Sequence, residues 1–274
     1  MEGFLRLESS ALAYRIIDQD DAEQLYSIYP DLPKSHLYGC PSCGKNRGPM
    51  VDGELILNGL HIQCNCQDQL QRHKHYLNSG IGLTYQVLSW SDFNGDQNAK
   101  RQVDTCLGNL LDDIEIGVGM FIHGSGYGTG KTMLAYLSLK EFVLLGYKCY
   151  ATTYSDMLAS MKAGWRDDKY ARWYKNKIDS AQVLVIDDVG KELMQTGGFN
   201  NDFSRQTLDG LIRTRAQQSR PTIITTNIGK ADVKTYYGSA VASLIDECMN
   251  PIKVEGDDYR KLVCVKKKGE RRIF

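Results

Sequence analysis

The chain has 274 residues, in which 33 Lys and Arg balance 33 Asp and Glu and give a formal net charge of zero. A hydrophobic share of 42% with only 6 Pro is typical of a globular protein, which excludes a disordered or collagen-like chain. The sequence has no apolar run near the ~20 residues that cross a membrane and no signal-peptide pattern, and its neutral charge argues against a protein that coats duplex DNA. We therefore expect a cytoplasmic protein of one or two domains, without a membrane partner.

The first 35 residues mix acidic and apolar side chains in a pattern that favours a partly amphipathic helix. Among the acidic residues are Asp18, Asp20, Asp21, Glu23 and Asp31. We interpret residues 1–35 as an N-terminal helical segment. It either docks onto a partner or packs on the protein itself, and the sequence does not separate the two.

Four of the eight cysteines form two pairs, Cys40 with Cys43 and Cys64 with Cys66, and the others are scattered singly. Two thiolate pairs brought together by a hairpin suit a tetrahedral Zn²⁺ ion, and four ligands close its shell as in structural sites. Apolar residues between positions 50 and 62 can form that hairpin, with Asp52-Gly53 as its turn. We therefore predict a zinc-binding module at residues 36–80. The alternatives are four thiols without metal, or a histidine replacing one thiolate (His36, His61, His73 or His75).

A glycine-rich loop stands between an apolar strand pattern at residues 118–123 and an apolar helix pattern at residues 133–144. This context is that of a phosphate-binding loop, whose backbone amides and helix N-terminus cradle an anion. Lys131 would reach the β- and γ-phosphates and the Thr132 hydroxyl would bind Mg²⁺. Ser125 stands where the usual pattern has its first glycine, with Gly124 one place earlier. The predicted nucleotide-binding residues are Gly126, Tyr127, Gly128, Thr129, Gly130, Lys131 and Thr132.

Two further strand patterns end in polar side chains that complete such a site. Residues 183–186 predict a buried parallel strand followed by Asp187, which we expect to hold Mg²⁺, and Asp188, which could polarise an attacking water. The alternative role of Asp188 is to cap the turn that follows. A third strand pattern, at residues 220–226, precedes Asn227, which we expect to sense the γ-phosphate. The predicted catalytic residues are thus Lys131, Asp188 and Asn227.

Residues 154–177 interleave aromatic side chains with cations. Aromatic rings can stack on bases while neighbouring Lys and Arg neutralise phosphates, so this segment is a candidate surface for single-stranded DNA. The alternative is an amphipathic helix whose aromatic rings pack on the core. The candidate DNA-binding residues are Lys162, Trp165, Arg166, Lys169 and Arg172.

Together these motifs resemble the AAA+ family, and within it the DnaC/DnaI/IstB-like group of helicase loaders and transposition ATPases. The resemblance covers residues from about 83 onward and depends on five stretches: 128–132, 153–158, 185–190, 220–227 and 258–260. It implies an α/β P-loop NTPase fold for residues 81–274, with a parallel sheet flanked by helices. Residues 228–274 are too few for a separate helical lid, which the group also lacks. Loaders that resemble the chain also carry an N-terminal zinc module.

One feature departs from the group. Its arginine finger usually follows the sensor strand, but the matching stretch, residues 238–245, has no arginine, and none occurs between Arg220 and Arg260. Because such an arginine accelerates hydrolysis by orders of magnitude, three alternatives remain. Lys230 or Lys234 substitutes, an arginine from another element serves, or the ATPase is slow and acts mainly as a switch.

The resemblance implies a helicase loader of a bacterial or phage-infected cell that binds ATP and Mg²⁺. Its expected partners are a hexameric replicative helicase, single-stranded DNA and further copies of itself, bound through AAA+ interfaces. The alternatives are an IstB-like ATPase that delivers a transposase to DNA, and a nucleotide-switch adaptor with little turnover. A small-molecule kinase is disfavoured, because Thr-Thr-Asn after the third strand is a sensor pattern.

Overall fold

We describe the fold from a computed structural model of the chain. The structure describes residues 75–259 except 77, 87, 113 and 196–201, together with the backbone of three short strands before them. The predicted N-terminal helix (1–35), the four cysteines of the predicted zinc site, and Arg260 lie outside the described residues.

The three short strands form an antiparallel sheet between the two cysteine pairs. They are β1 (Met50–Val51), β2 (Glu54–Leu57) and β3 (Leu60–Gln63). Val51 lies opposite Glu54, and Leu57 opposite Leu60, so the strands run as a meander. The predicted hairpin is therefore confirmed. Its expected turn residues, Asp52 and Gly53, lie outside the described part of the chain.

The described residues fall into two compact units, one up to Ser89 with residues 143–146, and one formed by the remainder from Trp90 onward. Besides the small sheet, the first unit contains the short helix α1 (Leu83–Gln86). The Tyr76 hydroxyl donates to the Gln86 carbonyl at 2.6 Å, and the Gln86 amide donates to the Ile81 carbonyl at 2.9 Å. These buried bonds close the chain into a compact turn before the second unit.

The second unit is built on five parallel strands. In chain order they are β4 (Gly119–His123), β5 (Cys149–Thr153), β6 (Val183–Val189), β7 (Thr222–Thr226) and β8 (Met249–Lys253). Across the sheet the order is β5-β6-β7-β4-β8. Every residue of β4 and β7 is buried, as expected for central strands covered on both faces, although three of the five residues of β7 are threonines. The predicted parallel sheet is therefore confirmed.

Helices connect and flank these strands. They are α2 (Gln97–Asp112), α3 (Lys131–Leu144), α4 (Tyr154–Gly164), α5 (Asp168–Tyr174), α6 (Lys191–Gln195), α7 (Asp202–Gln217), α8 (Val233–Tyr237) and α9 (Ser239–Cys248). Sequence signals account for several boundaries. The Thr153 hydroxyl accepts from the Asp156 amide and starts α4, and the Asp167 carboxylate accepts from the Lys169 amide and starts α5.

The strand order indicates where on the sheet a ligand should bind. β4 lies between β7 and β8, so the chain leaves β4 toward β5 on one side and later returns on the other side. Ligands of open parallel sheets bind at the carboxyl ends of the strands at such a switch point. The glycine loop that follows β4 lies at this point. Among the described residues no helix is long and apolar enough to cross a membrane.

Candidate functional site

The glycine loop joins β4 to α3 and surrounds the Lys131 side chain. The Lys131 ammonium donates to the carbonyls of Gly124 at 3.0 Å and Gly126 at 2.5 Å, and lies 3.3 Å from the Thr129 hydroxyl. Only 7% of the residue is exposed. Because Lys131 is also the first residue of α3, its charge and the helix N-terminus act at the same place. The loop therefore combines amides, a cation and a helix dipole that suit an anion.

Two glycines of this loop have backbones that other residues rarely adopt. Gly128 has φ +70°, and a Cβ there would lie 1.7 Å from the Asp258 carboxylate; Gly130 has φ +99°, and a Cβ there would lie 2.7 Å from the Phe93 ring. Glycine is required at both positions for conformation and for space. The residues that crowd the loop, Phe93 and Asp258, were not among the predicted site residues.

The segment after β8 lies directly along the loop. The Val254 amide donates to the His123 carbonyl at 2.8 Å, and the Tyr259 amide donates to the Gly128 carbonyl at 3.0 Å. The Glu255 amide donates to the Asp96 carboxylate at 3.0 Å, and Asp96 also caps the start of α2. Residues 93–96 and 254–259 thus enclose the loop from two sides. No sequence motif marked this arrangement, although residues 258–260 belong to the stretches that carry the resemblance.

Thr132 and Asp187 meet at the carboxyl edge of the sheet. The Thr132 hydroxyl donates to Asp187 Oδ1 at 2.9 Å, the Thr225 hydroxyl donates to the same oxygen, and the Tyr136 hydroxyl lies 3.5 Å from Oδ2. Burial raises the pKa of the Asp187 carboxyl above its ordinary value, while the bonds from Thr225 and Thr132 act in the opposite direction. A hydroxyl and a buried carboxylate in contact are oxygen ligands that suit Mg²⁺. The pair that the sequence predicted as magnesium ligands is thus brought together.

Asp188 lies in a bulge of β6 with a left-handed backbone. Ile186 pairs with Ile224 but Val189 pairs with Thr226, so β6 carries one extra residue, and Asp188 has φ +57°. Its amide donates to the Thr225 hydroxyl at 3.0 Å, and its carboxylate lies 3.4 Å from the Lys191 ammonium. A non-glycine residue in this conformation is strained and is often found at active sites.

The end of β7 supplies three polar residues, of which one, Asn227, was predicted to be a site residue. Asn227 directly follows the strand and is half-buried. Thr225 bridges the two acids through its contacts with Asp187 and the Asp188 amide. The Thr226 hydroxyl donates to the Val189 carbonyl at 2.6 Å and accepts from the Ile228 amide at 3.0 Å. Both threonines belong to the Thr-Thr-Asn pattern, so their position in sequence was the signal that could have found them.

Two arginines of α7, Arg205 and Arg215, donate hydrogen bonds to other parts of the protein. Arg215, buried in α7, donates to four acceptors: the Thr222 hydroxyl at 2.8 Å and the carbonyls of Ala181, Gln182 and Pro221 at 2.9, 3.1 and 3.0 Å. Burial, followed by the charge of Arg220, lowers the pKa of Arg215 to about 10. Arg205 donates to the Tyr236 carbonyl at 2.7 Å, and Lys230 pairs with Asp246 at 2.8 Å. Arg215 therefore joins α7 to the starts of β6 and β7, away from the carboxyl edge.

The aromatic and cationic segment at residues 154–177 divides into two faces. Trp165 is 66% exposed and its ring centroid lies 5.3 Å from that of Phe203, over which the Lys162 ammonium lies at 5.0 Å. Tyr170 is exposed, as are Arg166, Lys169 and Arg172. By contrast Trp173 packs edge-on against Tyr150 at 5.8 Å and, with Tyr174, contacts the core. The packing alternative is thus confirmed for Trp173 and Tyr174, and the DNA surface stays a prediction for the exposed residues.

Comparison with known proteins identifies the relatives of this arrangement. Residues 70–266 match the family described as IstB-like ATP binding protein. The replicative helicase loader DnaC of Escherichia coli (strain K12) is 21% identical over 173 residues, which cover 63% of this chain and 68% of the relative.

Two solved structures share the fold. A crystal structure of the DnaC helicase loader has a TM-score of 0.50 and 22% identity, over 66% of this chain and 99% of the solved chain. A crystal structure of DnaI has a TM-score of 0.52 and 17% identity, over 64% and 95%. The second unit thus has the predicted AAA+ P-loop NTPase fold. Its strand order, its glycine loop and the match over residues 70–266 lead to one conclusion: the chain belongs to the IstB-like ATP-binding protein family.

Proposed function

We propose that this protein is an ATP-dependent helicase loader, which binds a hexameric replicative helicase and single-stranded DNA and releases the helicase after hydrolysis. The observation that carries the proposal is the exposed strip of Lys162, Trp165, Arg166, Lys169 and Arg172 on the domain that holds the nucleotide loop. The similarity to DnaC, which is itself a replicative helicase loader, supports the choice of partner. The expected setting is the cytoplasm of a bacterial cell.

The site residues would divide the hydrolysis of ATP between them. The amides of residues 126–132 would bind the β-phosphate, and Lys131, released from the Gly124 and Gly126 carbonyls, would neutralise the β- and γ-phosphates. Thr132 and Asp187 would hold Mg²⁺, which supplies charge neutralisation when bound. Asp188 would orient and polarise the attacking water, and Asn227 would hydrogen-bond the γ-phosphate or that water.

We expect turnover to be slow and to depend on self-association. Residues 221–259 contain no arginine. The α7 residues Arg215 and Arg205 already donate hydrogen bonds to backbone carbonyls of other elements. Of the two candidate lysines, Lys230 is paired with Asp246, whereas Lys234 lies exposed on α8. A neighbouring copy would therefore have to supply Lys234 or another cation. A turnover per protein that stays constant as the protein concentration rises would argue against catalysis at an interface between copies.

The zinc module stays a proposal for the first unit. In the sequence, one cysteine pair precedes β1 and the other directly follows β3, so the two pairs flank the small antiparallel sheet along the chain. Four thiolates at such positions match the ligand set of structural Zn²⁺. We propose that Cys40, Cys43, Cys64 and Cys66 hold one zinc ion and that this module contacts the helicase. Metal analysis of the purified protein should give one zinc per chain, and Cys40→Ser should lower that content.

The decisive experiment is a pull-down of purified hexameric replicative helicase with the full chain, in the presence of ATP, of ADP and of no nucleotide. We expect capture that depends on the nucleotide, and Lys131→Ala should remove that dependence. A parallel assay with a transposase tests the IstB-like alternative. No capture of the helicase in any nucleotide state would refute the loader proposal. Capture of the helicase without measurable hydrolysis would favour a nucleotide-switch adaptor.

A further inference from the structure

The turn from Asp188 to Gly190 is held by three hydrogen bonds, two with side chains of β7 and one with a side chain of α6. Asp188 and Gly190 both have positive φ, at +57° and +101°. Two of the bonds come from β7: Thr225 accepts from the Asp188 amide at 3.0 Å, and Thr226 donates to the Val189 carbonyl at 2.6 Å. The third comes from a side chain beyond the turn. Glu192 Oε2 accepts from the Gly190 amide at 2.9 Å.

Glu192 is unusual because it is a carboxylate with only 5% of its surface exposed. Its second oxygen, Oε1, accepts from the Ser204 hydroxyl at 3.0 Å and from the Tyr237 hydroxyl. Burial, followed by the charge of Glu192, raises the pKa of Tyr237, so the phenol keeps its proton and remains a donor. A buried carboxylate that serves packing alone is costly, because its desolvation must be offset by such bonds.

The partners of Glu192 connect three helices to the turn. Glu192 itself lies in α6, Ser204 in α7 and Tyr237 in α8. The same network extends further, because the Tyr154 hydroxyl of α4 donates to the Ser204 carbonyl at 2.5 Å. On α8 the carbonyl of Tyr236 accepts from Arg205, so this helix is also tied to the first turn of α7. A displacement of α7 or α8 therefore acts on the Gly190 amide through one carboxylate.

We propose that Glu192 is a positioning residue of the ATPase, which holds the turn from Asp188 to Gly190 and links the orientation of the Asp188 carboxylate to α7 and α8. The inference rests on the proposed role of Asp188 in hydrolysis. Glu192 contacts neither the glycine loop nor the Thr132–Asp187 pair in the hydrogen bonds described above. Its loss should therefore lower the hydrolysis rate while ATP affinity is kept.

The test uses the full chain with Glu192→Ala, Glu192→Gln and, as a matched control, Glu247→Ala, which removes an exposed carboxylate from α9. ATP affinity is measured with a fluorescent analogue, and hydrolysis in single-turnover reactions with enzyme in excess, which detect slow rates. For Glu192→Ala we expect a rate lowered about tenfold or more with affinity changed less than about twofold. Glu192→Gln should restore part of the rate, because its amide oxygen can accept from Gly190 while the two hydroxyls accept from its amide nitrogen.

A double-mutant cycle shows whether Glu192 acts through Asp188. In an Asp188→Asn background the added Glu192→Ala change should have little further effect on the residual rate, because the group that it positions is already altered. An equal loss in both backgrounds, or an affinity loss as large as the rate loss, would overturn the inference. If Glu192→Ala does not fold, Tyr237→Phe replaces it, with a smaller rate loss expected and unchanged affinity.

The same measurements separate this inference from the proposed function. If Asp188→Asn leaves the rate unchanged, the role of Asp188 in hydrolysis is wrong, and the inference is wrong with it. If Asp188→Asn lowers the rate but Glu192→Ala does not, only the inference is wrong. The helicase pull-down is independent of both results.

Discussion

Trp165 offers the sharpest test of the proposed DNA surface, because its exposed ring contributes little to the stability of the folded protein. It is 66% exposed, and among the described residues its ring lies edge-to-face with Phe203, with 5.3 Å between ring centroids. Such a pair contributes about 0.5–1.5 kcal/mol beyond the area that it buries, so Trp165→Ala should reduce the free energy of unfolding by less than the about 3–5 kcal/mol that loss of a fully buried tryptophan costs. The variant should therefore remain folded.

The expected loss in DNA binding is larger. One aromatic ring that stacks on a base contributes about 1–3 kcal/mol, so Trp165→Ala should weaken binding of single-stranded DNA roughly 5- to 150-fold. Trp173 is the matched control, because it belongs to the same segment but packs against Tyr150 and the core. Removal of a core tryptophan costs up to about 3–5 kcal/mol of stability, so Trp173→Ala should destabilise the protein. Its DNA affinity, measured while folded, should stay near that of the parent protein.

The assay is fluorescence anisotropy of a labelled oligonucleotide with the ATP-bound protein, at salt concentrations on the order of 50 and 200 mM. Lys162→Ala and Lys169→Ala should each reduce the dependence of the affinity on salt, because each removes a phosphate contact. Trp165→Ala should shift affinity by the same factor at both salt concentrations. An unchanged affinity of folded Trp165→Ala at low salt would refute the assignment of this surface to DNA.

Three further predictions follow from the site and its surroundings. Mg²⁺ should raise the ATP affinity of the parent protein, and Asp187→Asn and Thr132→Ala should each reduce that gain at least about tenfold. The measurement is an ATP titration with Mg²⁺ and a second one with a chelator. An undiminished gain would exclude these residues as Mg²⁺ ligands. Arg215→Ala leaves four acceptors without their donor, three of them in buried bonds, and should cost at least about 3 kcal/mol in urea unfolding, with ATP affinity unchanged in the folded protein. His123 is buried, its Nδ1 has no hydrogen-bond partner within the part of the chain that the structure describes, and burial, followed by the charges of Lys230, Lys253 and Lys131, lowers its pKa. As the pH falls below about 6.5, His123 takes up a proton in the unfolded chain but not in the folded one, so the free energy of unfolding should fall by up to about 1.4 kcal/mol per pH unit. His123→Phe should flatten this dependence of the free energy of unfolding on pH. An unchanged dependence would contradict the reasoning.

The sequence was sufficient wherever the chemistry is carried by consecutive residues. A glycine loop between an apolar strand and an apolar helix predicts a phosphate-binding loop, because its amides, its lysine and the helix N-terminus are all local. Buried parallel strands have largely apolar or β-branched sequences, so the strand that contains Asp187 and the strand that ends before Asn227 were also predicted, and with them the carboxyl edge where they meet.

Several features of the site depend on contacts between residues far apart in the chain, and the sequence did not predict those contacts. The Thr225 hydroxyl bridges Asp187 and Asp188 only because β7 lies beside β6. The bulge that gives Asp188 its positive φ exists only in the pairing of those strands. Residues 254–259 lie along the glycine loop because β8 is the neighbour of β4.

The aromatic and cationic segment shows the same division within a single stretch of sequence. Its composition predicted either a DNA surface or a packing helix, and no periodicity over so few residues could choose between them. The tertiary structure confirms the packing alternative for Trp173, which lies against Tyr150, and leaves Trp165, just after α4, exposed beside Phe203. Local sequence thus determined the phosphate-binding chemistry and the strand types, since these need only neighbouring residues. Exposure, buried partners and the positions of Glu192 and Arg215 were decided by packing between distant elements, which only the folded chain brings into contact.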